Sequence, residues 1–137
     1  MDKQDIIIDY PPMYDQIADK FDLHPSDGVI FSWGDVIYNP GDIDVGPELL
    51  AHELAHGRRQ GTSKVKIIKW WRKYMDEQRF RLNEEIYGHR AEYEYLMANG
   101  NRHERRSALK HTASRLSAPL YGSMITQADA KGVLRTH

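Results

Sequence analysis

The chain has no cysteine. That excludes disulfides, a thiolate metal site and a cysteine nucleophile. A transition-metal site would have to be built from His, Asp and Glu. Long apolar runs are missing as well. The opening "MDKQDIIIDYPPMYDQ" holds only the three-residue run Ile6 to Ile8, too short for a signal peptide. No stretch approaches the ~20 apolar residues of a membrane span. We therefore expect a cytoplasmic protein with no pro-segment and no membrane contact. Repeats and low-complexity tracts are also absent.

What is present suits a single globular domain over 1–137. Of the 137 residues, 40% are apolar and 28% charged, enough for one modest core. The net charge of −1 hides an asymmetry. Residues 1–48 carry eleven acids against Lys3 and Lys20, a net −9. Residues 57–81 carry nine bases against Asp76 and Glu77, a net +7. Such a basic region can face an anionic partner, nucleic acid included. Equally, the two halves can complement each other, and no basic motif with interleaved stacking aromatics is recognisable.

Periodicity gives the elements. "IIIDY" reads as a short strand or extended start. In "PPMYDQIADKF", Met13, Ile17 and Phe21 recur at the helical period, with Pro12 in the first turn. "DGVIFSWGDVIYNPGD" is β-branched and aromatic around a Gly34-Asp35 turn, the pattern of a hairpin. "VGPELLAHELAHGRRQG" reads as a helix that Pro47 and Glu48 start and Gly61 stops. "KVKIIKWWRKYMD" is a second helix, with Ile67, Ile68, Trp71 and Met75 inward. "RFRLNEEIYGHRAEYEYLMANG" is a longer third. "RHERRSALKHTASRLSA" and "SMITQADAKGVL" read as further helices. A strand-rich front followed by helices is α+β.

One stretch carries chemistry. In "ELLAHELAHGRRQ", His52, Glu53 and His56 form H-E-x-x-H. Histidines four apart on a helix share a face and can reach one metal. Glu53 lies about 100° around the axis, placed to hold a metal-activated water and take its proton. Such a match arises by chance in roughly one chain per hundred of this size, so context must decide. The bland alternative is a surface pair of histidines with Glu53 in local ion pairs. On the chemical reading, Leu50 and Leu54 face the core and Gly57 sits at a helix contact. The following "RRQ" is then a solvated helix end or the edge of a binding surface.

A zinc site needs a third ligand. Six residues after His56 stands Thr62, which excludes the H-E-x-x-H-x-x-G-x-x-H arrangement. A glutamate on a later helix is the remaining pattern, and "NEEIYGHRAEY" offers Glu84, Glu85, His89 and Glu92. Glu85, Gly88, His89 and Glu92 share one face, whereas Glu84 lies with Phe80, Tyr87 and Ala91. Gly88 costs about 1 kcal/mol in a helix relative to alanine, which close approach of another helix would explain. Glu85 is therefore preferred to Glu84, with His89 as a supporting partner. Oxyanion donors are sought among His89, Tyr93, His111 and Tyr121. The hairpin, through residues 29–33 and 36–38, could pair with an extended peptide.

At this point the chain resembles a minimal gluzincin-type zinc metallopeptidase, more narrowly the small metallopeptidases of phages and prophages. The resemblance rests on "GVIFSWGDVIYNPGD", "ELLAHELAHGRRQG", "WWRKYMDEQRFRLNEEIYGHRAEYEYL" and "RLSAPLYGSMITQADAK", which cover most of residues 28–131. It implies a zincin-like domain: a small sheet packed on a mainly helical body with the H-E-x-x-H helix at its centre. It implies Zn2+ on His52 and His56, Glu53 as general base, and a third ligand in an E-x-x-small setting, Glu85 before Gly88. The expected function is hydrolysis of peptide bonds in a peptide or protein substrate. The alternative is a zinc-stabilised module that binds nucleic acid or an acidic protein through the basic region 57–81. A third reading, dimerisation through "IIKWW" and "EYEYLM", competes with those aromatics simply forming the core.

Overall fold

The computed structural model describes residues 5–104 and 106–107. Over these the chain is α+β, as its element order predicts. Strand β1 (Asp5–Ile7) precedes helix α1 (Tyr14–Phe21) and a 3₁₀ turn at Pro25–Asp27. The hairpin β2 (Phe31–Trp33) and β3 (Val36–Tyr38) follows, then helices α2 (Pro47–Gln60), α3 (Lys64–Asp76) and α4 (Gln78–Asn99). Residues 102–104 and 106–107 are helical, the start of the expected fourth long helix. The rest of that helix, the expected last helix, His111 and Tyr121 lie outside the described residues. None of the described helices is long and apolar enough to cross a membrane.

The sheet is small and mixed, in the order β1-β3-β2. β2 and β3 pair antiparallel with Ser32 opposite Ile37, while β1 adds parallel to β3 with Ile6 opposite Ile37. The β1 pairing was not expected, because nothing in "IIIDY" names its partner. The first hairpin strand is also shorter than its composition suggests, with Val29 and Ile30 outside it. Helix α1 starts two residues later than expected. Pro11 and Pro12 precede it, and Met13 at φ 65° turns the chain into Tyr14. The boundaries of α2 follow their signals: Pro47 at the first turn, Glu48 at the positive end of the helix dipole, and Arg58 and Arg59 at the other.

The core lies between α1, β2 and α3. Ile17, Phe31, Ile67, Trp70, Trp71 and Met75 are buried together. Trp70 takes the inward place expected of Ile68, which is only half-buried. The inner stripe of α3 therefore runs through 67, 70, 71 and 75, the i, i+3, i+4, i+8 pattern of a helix packed on one side. The "IIKWW" aromatics are thus core. α2 sits at the centre and touches α3, α4 and β2. Only one non-helical residue, Glu77 at φ −119° and ψ 105°, separates α3 from α4. That short break folds α4 back so that it runs along α2.

The inward face of α2 is polar. Its buried residues are His52, Glu53, Ala55, His56, Gly57 and Gln60. Leu50 and Leu54, expected to face the core, are only half-buried. Buried imidazoles and carboxylates are costly unless paired, so the organisation of α2 against α4 has to supply the partners.

Candidate metal centre

His52 and His56, one turn apart on α2, both turn Nε2 towards α4 and stand 2.9 Å apart. Both are buried, which rules out the surface-pair alternative. Glu85 of α4 meets them with both oxygens. Oε1 lies 3.3 Å from His52 Nε2, and Oε2 lies 2.9 Å from His56 Nε2. Tyr74 of α3 donates its hydroxyl hydrogen to the same Oε2 at 3.0 Å. Gly88 makes this approach feasible. A Cβ at residue 88 would stand 2.7 Å from His52 Nε2 and 2.8 Å from Cε1, closer than any real side chain packs.

Glu84 is committed elsewhere. Arg59 Nε donates to its two oxygens at 2.9 and 2.7 Å, and the Trp70 indole donates at 2.6 Å. The Arg59 guanidinium also lies 3.6 Å over the Tyr87 ring. The face reading of α4 therefore separates the two glutamates as expected: Glu85 joins the histidines, and Glu84 anchors α2 and α3 to α4.

Behind the histidines, Glu92 joins two imidazoles. Its Oε1 accepts from His52 Nδ1 and, at 2.9 Å, from His89 Nδ1. A carboxylate on the far nitrogen fixes a histidine's tautomer and aims its other nitrogen. His89 packs edge-on to His52 with ring centroids 4.4 Å apart. Its Nε2 is buried without a hydrogen-bond partner among the described residues, 3.7 Å from Glu85 Oε1. His89 thus meets His52 by ring packing and through the shared Glu92 carboxylate. Glu92 itself shares the Glu85 face seven residues on, a signal that the sequence carried and that the expected site did not use.

Glu53 stands apart from this cluster. Its Oε2 accepts a short hydrogen bond from the Ser32 hydroxyl of β2, whose oxygen also lies 2.9 Å from the Glu53 carbonyl. Ser32 was not anticipated. Its one signal is a polar residue inside the apolar run "VIFSW". Two further expectations change here. Gly57 is not at a helix contact: a Cβ there would lie 2.2 Å from the Gly34 carbonyl oxygen, so the hairpin turn rests on it. The "RRQ" is only partly a solvated end. Arg58 is exposed, Arg59 is bound to Glu84, and Gln60 is buried. Gln60 accepts from Gly34 N at 2.7 Å and donates to the Ser32 carbonyl at 3.0 Å.

The hairpin is therefore pinned to α2. This restricts the expected peptide-pairing edge. β3 is the central strand and is paired on both sides. On β2, the Ser32 carbonyl is already taken by Gln60 and by the Trp71 indole at 3.1 Å. Only residues 29–31 remain from that expectation.

Charge follows the geometry. Burial disfavours protonated His52, but the Glu85 charge and the hydrogen bonds with Glu85 and Glu92 outweigh it, holding the imidazole well above its usual range. Burial works against the Glu85 anion, and the two histidines overcome it, so the carboxyl titrates well below the usual range. Glu92 is likewise held down to about 2, burial being outweighed by its bonds to His52 and His89. Burial depresses His89. Two imidazoles and a carboxylate converging in a buried place are held together either by a proton or by a cation.

The donor set fits a metal ion. One ligand atom each from His52, His56 and Glu85 lies within 4.8 Å of the others. Two neutral-capable imidazoles and a carboxylate are the donors of a His₂Glu zinc site, where bond lengths near 2.0–2.2 Å put neighbouring ligand atoms about 3.3 Å apart. The observed separations of 2.9 to 3.3 Å are close to that. His52, His89 and Glu92 form a second such group, sharing His52. A single cavity of about 290 Å³ is lined by His52, Glu53, His56, Glu85 and His89, and also by Tyr74 and apolar residues of α1, β2 and α3. Tyr93, an expected oxyanion donor, does not line it. Compared with protein families, curated proteins and solved structures, the chain matches none.

Proposed function

We propose that this protein is a zinc-dependent peptidase of zincin-like build, cutting peptide bonds in a peptide or protein substrate. The observation that carries the reading is the Glu85 carboxylate meeting Nε2 of both H-E-x-x-H histidines in a cavity that Glu53 also lines. His52, His56 and Glu85 are the ligands, which leaves the position open that a catalytic site needs. Bound there, zinc would polarise a carbonyl and bring the pKa of a water in the site to about 7.

The remaining work falls to the chain. Glu53 takes the proton of the attacking water and passes it to the leaving amine. Ser32 holds the Glu53 carboxylate in one orientation, so the base is aligned before substrate arrives. Glu92 keeps the His52 Nε2 lone pair directed at the ligand cluster. His89 gives its Nδ1 hydrogen to Glu92, so its buried Nε2 presents a lone pair, and its part is to steady Glu92 behind His52. The cysteine-free sequence suits a cytoplasmic setting.

The test is Glu53→Gln. That variant keeps zinc and loses peptide hydrolysis by about 10²-fold or more. Unchanged hydrolysis would remove Glu53 from the chemistry.

A second reading has one observation in its favour. Lys64, Lys66, Lys69 and Arg72 are all exposed on α3, and Val65 beside them is 75% exposed. A module binding nucleic acid through this face would show affinity falling steeply with salt. Absence of DNA and RNA binding at low salt would end that reading.

A further inference from the structure

The cavity at the metal centre is lined by two chemical kinds of residue. His52, His56, Glu53 and Glu85 are polar. Ile17 and Phe21 of α1, Leu23 and Val29 of the following loop, Phe31 of β2 and Trp71 of α3 form an apolar wall. Among the described residues the cavity's ionisable side chains are those of the site itself: the two ligand histidines, His89, Tyr74 and the carboxylates Glu53, Glu85 and Glu92. Among the described residues, no lysine or arginine lines it.

We infer that this apolar wall forms a specificity pocket that takes one bulky apolar side chain, aromatic by preference, of the substrate beside the bond under attack. The inference rests on the peptidase reading for its substrate, and on the cavity alone for its chemistry.

Size, charge and rigidity each support it. A cavity of about 290 Å³ has room for a Phe, Tyr or Trp side chain. An acidic side chain would meet three carboxylates, and the histidines that could offset its charge already engage Glu85 and Glu92. A basic one would leave water for carboxylates that His52, His56, His89 and Ser32 already engage. An apolar group is the occupant that loses no solvation. The wall is also preformed. Phe31 packs against Trp71 at 6.3 Å and Phe21 against Tyr74 at 5.8 Å between centroids, and Ser32 and Trp71 are joined by a hydrogen bond. A preformed pocket spends little on ordering when it fills. Val29, exposed at the mouth, is the residue through which the pocket can be narrowed without touching the ligands or Glu53.

Two measurements on the full chain test this separately from catalysis. In the first, the metal-free ¹⁵N-labelled protein is titrated with N-acetylphenylalanine amide and with N-acetylalanine amide. The Trp71 indole N–H resonance is followed. The phenylalanine amide should shift it saturably, the alanine amide should not, and Val29→Phe should weaken the response several-fold. In the second, the zinc-loaded protein is given a randomised peptide library, and cleavage sites are read by mass spectrometry. One position next to the cut should be filled by Phe, Tyr, Trp or Leu, with Ala there lowering kcat/KM about 10- to 100-fold. Equal indole shifts from both amides, or none up to their solubility, would overturn the pocket. So would cleavage indifferent to that position. A library left uncut while the phenylalanine amide still binds selectively would contradict the peptidase reading and uphold the pocket.

Discussion

Gly88 of α4 lies directly beneath the His52 imidazole, so close that a methyl group at residue 88 would stand 2.7 Å from Nε2. In an ordinary exposed helix, glycine to alanine gains up to about 1 kcal/mol. Here the sign should reverse. Gly88→Ala should lower stability by about 1–3 kcal/mol through overpacking and weaken zinc binding, because His52 has to move. Thermal unfolding with chelator and a zinc titration check the two parts.

Glu92 is not one of the three proposed ligands, yet it holds both His52 and His89. Glu92→Gln should lower zinc affinity about 10- to 100-fold, the usual effect of losing a carboxylate behind a ligand histidine. A competition titration against a chromophoric chelator measures it. Unchanged affinity would mean that His52 is aimed by packing alone.

In the metal-free protein, His52 keeps its proton to well above the usual imidazole range. A ligand histidine must be neutral, so zinc has to displace that proton. Near pH 7, zinc uptake should release about one proton from the protein. The release should fade as pH rises through the folded His52 value, and affinity should drop in acid. Calorimetry in buffers of differing ionisation heat reads the count directly.

Gly57 carries the hairpin turn on α2, with the Gly34 carbonyl oxygen 2.2 Å from where a Cβ would be. Both atoms are held by backbone, so neither can yield cheaply. Gly57→Ala should cost about 1–3 kcal/mol. It should also loosen the Ser32 contact to Glu53, because Ser32 lies in the strand that leads into that turn. Denaturant unfolding gives the first effect.

Local signals place the three long helices well. Pro47 and Gly61 bracket α2, and the apolar stripe of α3 and the shared face of Glu85, Gly88 and His89 on α4 are visible as periodicity. The same face analysis separates Glu85 from Glu84, because residues one apart on a helix point about 100° apart. What the sequence hides is set by contacts between distant elements. The parallel pairing of β1 with β3, the Tyr74 bond to Glu85 and the Ser32 bond to Glu53 join residues whose spacing carries no period. Gln60 is an intermediate case. It continues the 52, 56, 60 stripe, so its inward direction is implied, but its partners in the hairpin are not. Leu50 and Leu54 mislead because apolar residues are ordinarily taken to face inward, whereas here the polar stripe has partners on α4 and turns the leucines aside.

The most direct test of the centre is elemental analysis of protein prepared without chelators. Wild type and Glu84→Gln should each carry one zinc per chain, the latter at a stability cost of about 1–3 kcal/mol for the broken Arg59 and Trp70 partners. Glu85→Ala should carry none. Zinc retained by Glu85→Ala and lost from Glu84→Gln, or no zinc in the wild type, would contradict the assignment of His52, His56 and Glu85 as the ligands.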